Sequence, residues 1–264
     1  MATYQSIIAY DGTEFAGFQR QARRRTVQGE IERALRRLGW VDRAVLAAGR
    51  TDTGAHARGQ VVAFELTWRR SPEALTAAIN AHLPQDISVQ STRLAEDGFH
   101  PRYSAVRRRY SYTLFLAPER DPLRERFAWR IWPPLDDRAI RGACPILLGE
   151  HDFRAFGPAP RKGGGTRRTV FRSEWQGEGL ERTYRVEADA FLYRMVRRIV
   201  SALVSIGRGE IGSGALSALL EDPTSRWQGA LAPAKGLCLD AVIYNENSPA
   251  PGRLSGGRVE GTQE

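Results

Sequence analysis

The sequence predicts an α+β fold: two ferredoxin-like (β-α-β-β-α-β) halves with mainly antiparallel sheets around a central cleft. Three observations carry that expectation. Apolar spacing alternates between period two and period 3.6 in the order β-α-β-β-α-β over residues 1–97. A similar order recurs over residues 98–246. The joint near Asp97 to Ala105 sets two α/β units side by side, and ligands commonly sit between such units.

The elements follow in order. Tyr4 to Tyr10 reads as a strand, ended by the turn dipeptide Asp11-Gly12. After a loop carrying Arg20, Arg23, Arg24 and Arg25, the positions Val27, Ile31, Ala34, Leu35 and Leu38 keep helical spacing, with Thr26 as cap and Gly39 as stop. Ala44 to Ala48 and Gln60 to Leu66 read as strands joined by a loop containing Gly49, Gly54 and Gly59. A second helix has Ser71 as cap, Pro72 in its first turn and Leu75, Ala78 and Ile79 on one face. Ile87 to Leu94 is a strand again.

The second half opens with a strand, Val106 to Leu116, paired with Phe127 to Trp132. Asp136 to Leu148 is helical, with Pro145 predicting a kink. Strands at Thr169 to Trp175 and Thr183 to Ala188 precede a helix whose apolar face runs from Leu192 through Met195, Val196, Ile199 and Leu203 to Ile206. Periodicity places Arg197 opposite that face, toward solvent. A short helix near Ala215 to Leu220 and a strand from Leu237 to Tyr244 complete the order, and Gly163 to Gly165 with Arg161, Lys162, Arg167 and Arg168 reads as a mobile basic loop. The Pro/Gly/Ser-rich residues 247–264 are expected to be a disordered tail.

Composition excludes several classes. A chain of 264 residues that is 42% hydrophobic can bury roughly 70–75% of its unfolded surface, enough for a packed core. The longest apolar run, Ile199 to Ile206, is broken by serine and falls far short of the ~20 residues a membrane span needs. Met1 to Tyr10 lacks the features of a secretory signal, and Cys144 and Cys238 form no disulfide or C-x-x-C pattern, so a reducing, cytoplasmic setting is expected. His56, His82, His100 and His151 show no metal-ligand spacing, so the chemistry is expected to need no metal. The net charge of +9 calls for an anionic partner, and apart from Lys162 and Lys235 the cations are arginines, which fork onto phosphate.

The segment Ala48-Gly49-Arg50-Thr51-Asp52-Thr53-Gly54-Ala55-His56-Ala57-Arg58-Gly59-Gln60 links two strands and carries glycines that let backbone crowd a ligand. Read alone, Arg50 and Asp52 fit an ordinary turn. The string Gly49-Arg50-Thr51-Asp52-Thr53-Gly54-Ala55-His56, however, resembles the catalytic loop of the tRNA pseudouridine synthase A family. Further segments resemble the same family in the same order: Tyr10-Asp11-Gly12 with Gly17-Phe18-Gln19, Phe99 to Ala105, Arg108-Arg109-Tyr110-Ser111-Tyr112, Leu148 to Phe153, Ala190 to Arg197, and Gly236-Leu237. Phe18, Arg198 and Ser201 depart from its usual tryptophan, asparagine and glycine.

The resemblance implies that Asp52 is the catalytic aspartate, that Tyr110 packs over the target uracil and that Arg197 pairs with the aspartate, with Arg50 as a nearby support. It also implies a homodimer acting on the anticodon stem-loop of tRNA, at positions 38, 39 and 40. Arg20, Arg24, Arg58, Arg109 and Arg168 are expected to meet RNA phosphates. The chemistry is coherent with those residues. Uracil must be cut from C1′ at N1, turned, and rejoined through C5, and an ionised carboxylate can begin this by attacking the sugar, attacking the base or removing a ribose proton. Burial disfavours such a charge, whereas a guanidinium at about 4 Å returns roughly 4 kcal/mol at an effective dielectric of 20. A uridine inside a stem must also be extruded, and a stacking ring offsets part of that cost.

Competing signals are weaker. Gly207-Arg208-Gly209-Glu210-Ile211-Gly212 fits a dinucleotide fingerprint but follows a helix. Asp52-Thr53-Gly54 matches the aspartic-protease signature, yet occurs once where two carboxylates are required. A non-catalytic RNA-binding module accounts for the charge and for Tyr110 but leaves the Asp52 loop without a purpose.

Overall fold

A computed structural model describes residues 1–160, 163–222 and 224–245. Arg161, Lys162 and the expected tail at 247–264 lie outside the described residues.

The strands are β1 (Ala2–Tyr10), β2 (Leu46–Ala47), β3 (His56–Leu66), β4 (Ile87–Leu94), β5 (Ala105–Leu116), β6 (Trp129–Ile131), β7 (Gly149–Asp152), β8 (Arg167–Gln176), β9 (Glu181–Ala188) and β10 (Leu237–Tyr244). The helices are α1 (Val27–Arg37), α2 (Pro72–Asn80), α3 (Asp137–Ala143), α4 (Met195–Gly207) and α5 (Ser213–Glu221). The strands form one sheet, ordered β4-β1-β3-β10-β5-β9-β8-β7, with β2 beside β3 and β6 beside β5. It is a mixed α+β architecture whose large sheet is mostly antiparallel. The exceptions are β6 on β5 and the short parallel join of Cys238 and Leu239 to His56 and Ala57, which makes the sheet continuous.

Local chemistry explains the first helices. Thr26 caps α1 by accepting from Gly29 N at 3.3 Å, and Arg36 and Arg37 end the helix where its dipole favours cations. Ser71 caps α2 on Ala74 N at 3.3 Å, and Pro72 occupies the first turn, where no N–H is missed. Val27, Ile31, Ala34, Leu35, Leu75 and Ile79 bury their faces with Tyr4, Ile8 and Phe64 in one core cluster. A second cluster packs Ile140, Ile199 and Leu203 against Tyr112, Tyr184 and Val186. Tyr110 touches both clusters.

Several boundaries depart from expectation for physical reasons. Pro145 ends the α-helix: α3 stops at Ala143, and Cys144–Leu147 continues as a 3-10 turn, because proline offers no N–H to an α-helical bond. The helix expected from Leu192 begins at Met195, since Arg194 has φ 61° and interrupts helical geometry. The strand expected from Gln60 begins at His56, lengthened by its pairing with β10. The strand expected over Ala44 to Ala48 is reduced to Leu46–Ala47. Polar β7 was not expected; it is an edge strand held on β8 by Gly149 to Val170 register.

Candidate active site

The loop between β2 and β3 is held at both ends. Ala48 N donates to Val61 O at 2.9 Å, and the Gln60 side chain donates to Gly49 O at 3.0 Å. In the middle, the Thr51 hydroxyl meets Tyr10 OH at 2.8 Å and Thr51 O accepts from Phe18 N at 3.2 Å. A turn closes when Ala55 N donates to Asp52 O at 3.1 Å, with Gly54 at φ 77°, a conformation that favours glycine. Gly12 lies so close to this turn that a Cβ there would collide with the Ala55 carbonyl. Asp52 is thereby fixed by backbone contacts, before its own carboxylate is counted.

That carboxylate points across to the second core. Arg197 Nη1 on α4 lies 2.5 Å from Asp52 Oδ2, with side chains 11% and 17% exposed. Arg197 Nε also donates to Ala232 O at 2.7 Å, so the guanidinium is held from two sides. Arg197 thus does not point to solvent, where helical periodicity placed it: the side of α4 opposite its own core faces the loop between β2 and β3. A second guanidinium, Arg194, brings Nε to 4.0 Å of the same oxygen. Arg198 is spent elsewhere, donating to Phe156 O at 3.1 Å and Tyr193 O at 2.9 Å.

Tyr110 stands on β5, which pairs with β9 and β10 on its two sides. Its ring packs edge-on against Phe191 at 5.0 Å between centroids. Burial pushes its hydroxyl up to about 12; Arg108 opposes this and the Asp52 charge adds to it. The phenol is therefore neutral at pH 7.

Other residues singled out by sequence are placed differently. Arg50 is exposed and makes no ion pair with Asp52; Arg194 occupies the supporting position instead. Arg20 is tied to buried Glu32 at 2.5 Å and to Arg43 O at 3.2 Å. Arg24 is exposed. Arg109 pairs with Glu187 at 2.8 Å and Arg58 with Asp240 at 3.2 Å. Arg58 and Arg109 line a cavity of about 930 Å³ with Ser111, Arg172, Arg185 and Cys238. Because side chains alternate along a strand, Arg109 and Ser111 face away from Tyr110, so these arginines are on the opposite sheet face from its ring. Arg168 donates to Gly165 O at 3.2 Å while its buried Nε has no hydrogen-bond partner among the described residues, and burial lowers its pKa.

Sequence reasoning missed Arg194 and the bracing role of His56. His56 Nδ1 accepts from Gly12 N at 3.0 Å, and Nε2 meets Lys235 O at 3.1 Å, a pattern that fits a neutral imidazole protonated at Nε2. Nδ1 is also 3.2 Å from Asp11 Oδ1, but a nitrogen accepting an N–H is no cation, so this is not an ion pair. Burial lowers the His56 pKa, against the opposing charge of Asp11. No periodicity marks either residue; only the density of the surrounding motifs could have drawn attention to them. Among the described residues no group of three or more His, Cys, Asp or Glu could hold a metal ion, and no helix is long and apolar enough to cross a membrane.

A family model described as tRNA pseudouridine synthase matches residues 7–104 and 143–245. The chain is 41% identical over 242 residues to tRNA pseudouridine synthase A of Geobacillus kaustophilus, covering 91% of this chain and 93% of that one. It is 41% identical over 240 residues to the protein of the same description in Moorella thermoacetica, covering 90% and 97%. Among solved structures it is similar to a chain in the archaeal box H/ACA sRNP Nop10-Cbf5 complex, at 14% identity and TM-score 0.36 over 76% of this chain and 44% of that one, too remote to bear on the site. Matched along nearly its whole length, the chain belongs to the tRNA pseudouridine synthase family, enzymes that isomerise uridine in tRNA.

Proposed function

We propose that Asp52 is the catalytic carboxylate, that Arg197 pairs with it and aims it, and that Tyr110 stacks on the extruded uracil of an anticodon stem-loop, at positions 38, 39 and 40. The 2.5 Å ion pair between the two halves of the chain is the observation that carries this reading. An Asp in an ordinary surface turn has no such partner from a distant helix. The reaction conserves atoms overall: the N1–C1′ bond breaks, a C5–C1′ bond forms, C5 gives up its hydrogen and N1 gains one. No electron acceptor is required. Arg197 orients the Asp52 carboxylate, while the neutral Tyr110 ring offers an aromatic face worth about 1–3 kcal/mol to an unstacked base. Arg50, exposed in the loop, and Arg24 are free to meet substrate, while Arg20, partly spent on Glu32, and Arg168, partly spent on Gly165 O, are assigned weaker phosphate contacts. Arg58 and Arg109 are assigned weaker roles, on the far sheet face.

The same reading extends to architecture and setting. The strand order β4-β1-β3-β2 runs fourth, first, third, second in chain order, and β10-β5-β9-β8 does the same once the short strands β6 and β7 are set aside, which supports two ferredoxin-like halves, 1–97 and 98–246, with the active-site cleft where they meet. A cytoplasmic homodimer working without cofactor completes the proposal. Its substrate claim is tested by mapping pseudouridine in tRNA incubated with the purified chain. Product confined to positions 38–40, and lost site by site when those uridines become cytidines, is expected; product only elsewhere would overturn the anticodon assignment.

A further inference from the structure

Three arginines, Arg194, Arg197 and Arg198, crowd one carboxylate at the start of α4. Arg197 is committed to Asp52 and Ala232 O, and Arg198 to two backbone carbonyls. Arg194 differs. Its side chain donates no hydrogen bond among the described residues, is 40% exposed, and is positioned only by the Tyr193 ring, 4.7 Å from its guanidinium carbon, and by Asp52 at 4.0 Å. Its five N–H donors are therefore largely unspent beside the reacting group. Its backbone is also unusual, at φ 61° in the left-handed region that L residues other than glycine, asparagine and aspartate seldom enter. Strain of this kind persists where surrounding structure enforces it, and it concentrates at functional sites. Glycine or asparagine at this position would relieve the strain but could not supply a cation. Two positive charges in excess of one carboxylate also make this corner attractive to an anion, and the anion that must come here in tRNA is the backbone.

We infer that Arg194 is a substrate-binding residue, forking onto a backbone phosphate of the tRNA next to the uridine presented to Asp52. This rests on the reading of Asp52 as the reaction centre. The Tyr193 ring holds the guanidinium plane in place before RNA arrives, so little side-chain freedom is lost on binding.

The test compares tRNA binding by Asp52→Asn protein, in which no product should accumulate, with binding by Asp52→Asn/Arg194→Asn protein. Asparagine accepts the left-handed backbone, so the melting temperature should hold or rise. Affinity should fall roughly ten- to hundredfold at low salt, as for loss of a charge-assisted contact. The slope of log affinity against log salt should become shallower by about 0.7–0.9, the signature of one phosphate contact. Arg194→Lys should restore the slope. Unchanged affinity and slope, or an affinity loss accompanied by a lowered melting temperature, would overturn the assignment. Turnover by the Asp52→Asn protein alone would instead refute the Asp52 reading, and the salt slopes would still report on Arg194.

Discussion

Replacing Arg197 with methionine removes the guanidinium while keeping much of the buried stem. At the observed 2.5 Å, Coulomb's law gives about 2 kcal/mol if the pair were in bulk water and about 7 kcal/mol at an effective dielectric of 20. With side chains 11% and 17% exposed, the pair lies between those limits. Arg194 at 4.0 Å then compensates part of the loss, so a coupling of roughly 2–4 kcal/mol is expected, in line with broken buried pairs. A double-mutant cycle isolates it, using urea unfolding of wild type, Arg197→Met, Asp52→Asn and the double variant. The lost bond from Arg197 Nε to Ala232 O occurs in both Met-containing proteins and cancels. Arg197→Met alone should unfold some 4–16 °C lower, and the double variant should recover part of that loss. Single-turnover isomerisation by Arg197→Met should fall about 30- to 1000-fold if the same 2–4 kcal/mol is needed in the transition state. A coupling below about 0.5 kcal/mol, the level of an exposed surface pair, would refute the reasoning.

Three other outcomes are expected. Tyr110→Ala should weaken tRNA binding about 5- to 150-fold, the equivalent of one stacked base, whereas Tyr110→Phe should bind normally and show no altered rate profile up to pH 10, because the native hydroxyl is pushed up to about 12; equal behaviour of the two variants contradicts the stacking role. Gly12→Ala should cost about 1–3 kcal/mol by forcing backbone apart at Ala55, read as a melting temperature lower by roughly 2–12 °C with reduced turnover. For His56, burial lowers the folded pKa below the ordinary 6.5, so the unfolded chain binds the extra proton first. The His56 contribution is then fully present above pH 6.5 and is lost as pH falls from there through the lower folded value; His56→Gln should flatten that part of the stability–pH curve, and an unchanged curve would contradict the assignment.

What could be read in the sequence was whatever local chemistry decides. The caps Thr26 and Ser71, the Pro72 first turn and the apolar faces of α1 and α2 are complete statements within a dozen residues, and the structure agrees with them. Features made by distant partners were not readable. The extension of β3 back to His56 depends on β10, some 180 residues away, and β7 has too little apolar character to signal a strand. Arg197 shows the same limit: helical spacing marks the side opposite the apolar face but cannot say whether water or another half of the chain lies there. At the candidate site, the density of its motif singled out Asp52, and the structure brings Arg197 to it. The placement of Arg194, not Arg50, as the second cation near it was not readable, because it depends on where the start of α4 meets the β2–β3 loop. Arg109 and Tyr110 are neighbours in sequence, yet strand alternation puts them on opposite faces.

One carboxylate, Asp52, is proposed to begin the isomerisation. Tritium released to water from tRNA labelled at uracil C5, measured in a single turnover with enzyme in excess, reads the chemistry without product release. Asp52→Asn protein should bind the labelled tRNA with wild-type affinity or better and release no tritium above background. Release at a rate near wild type from a correctly folded Asp52→Asn protein would contradict it.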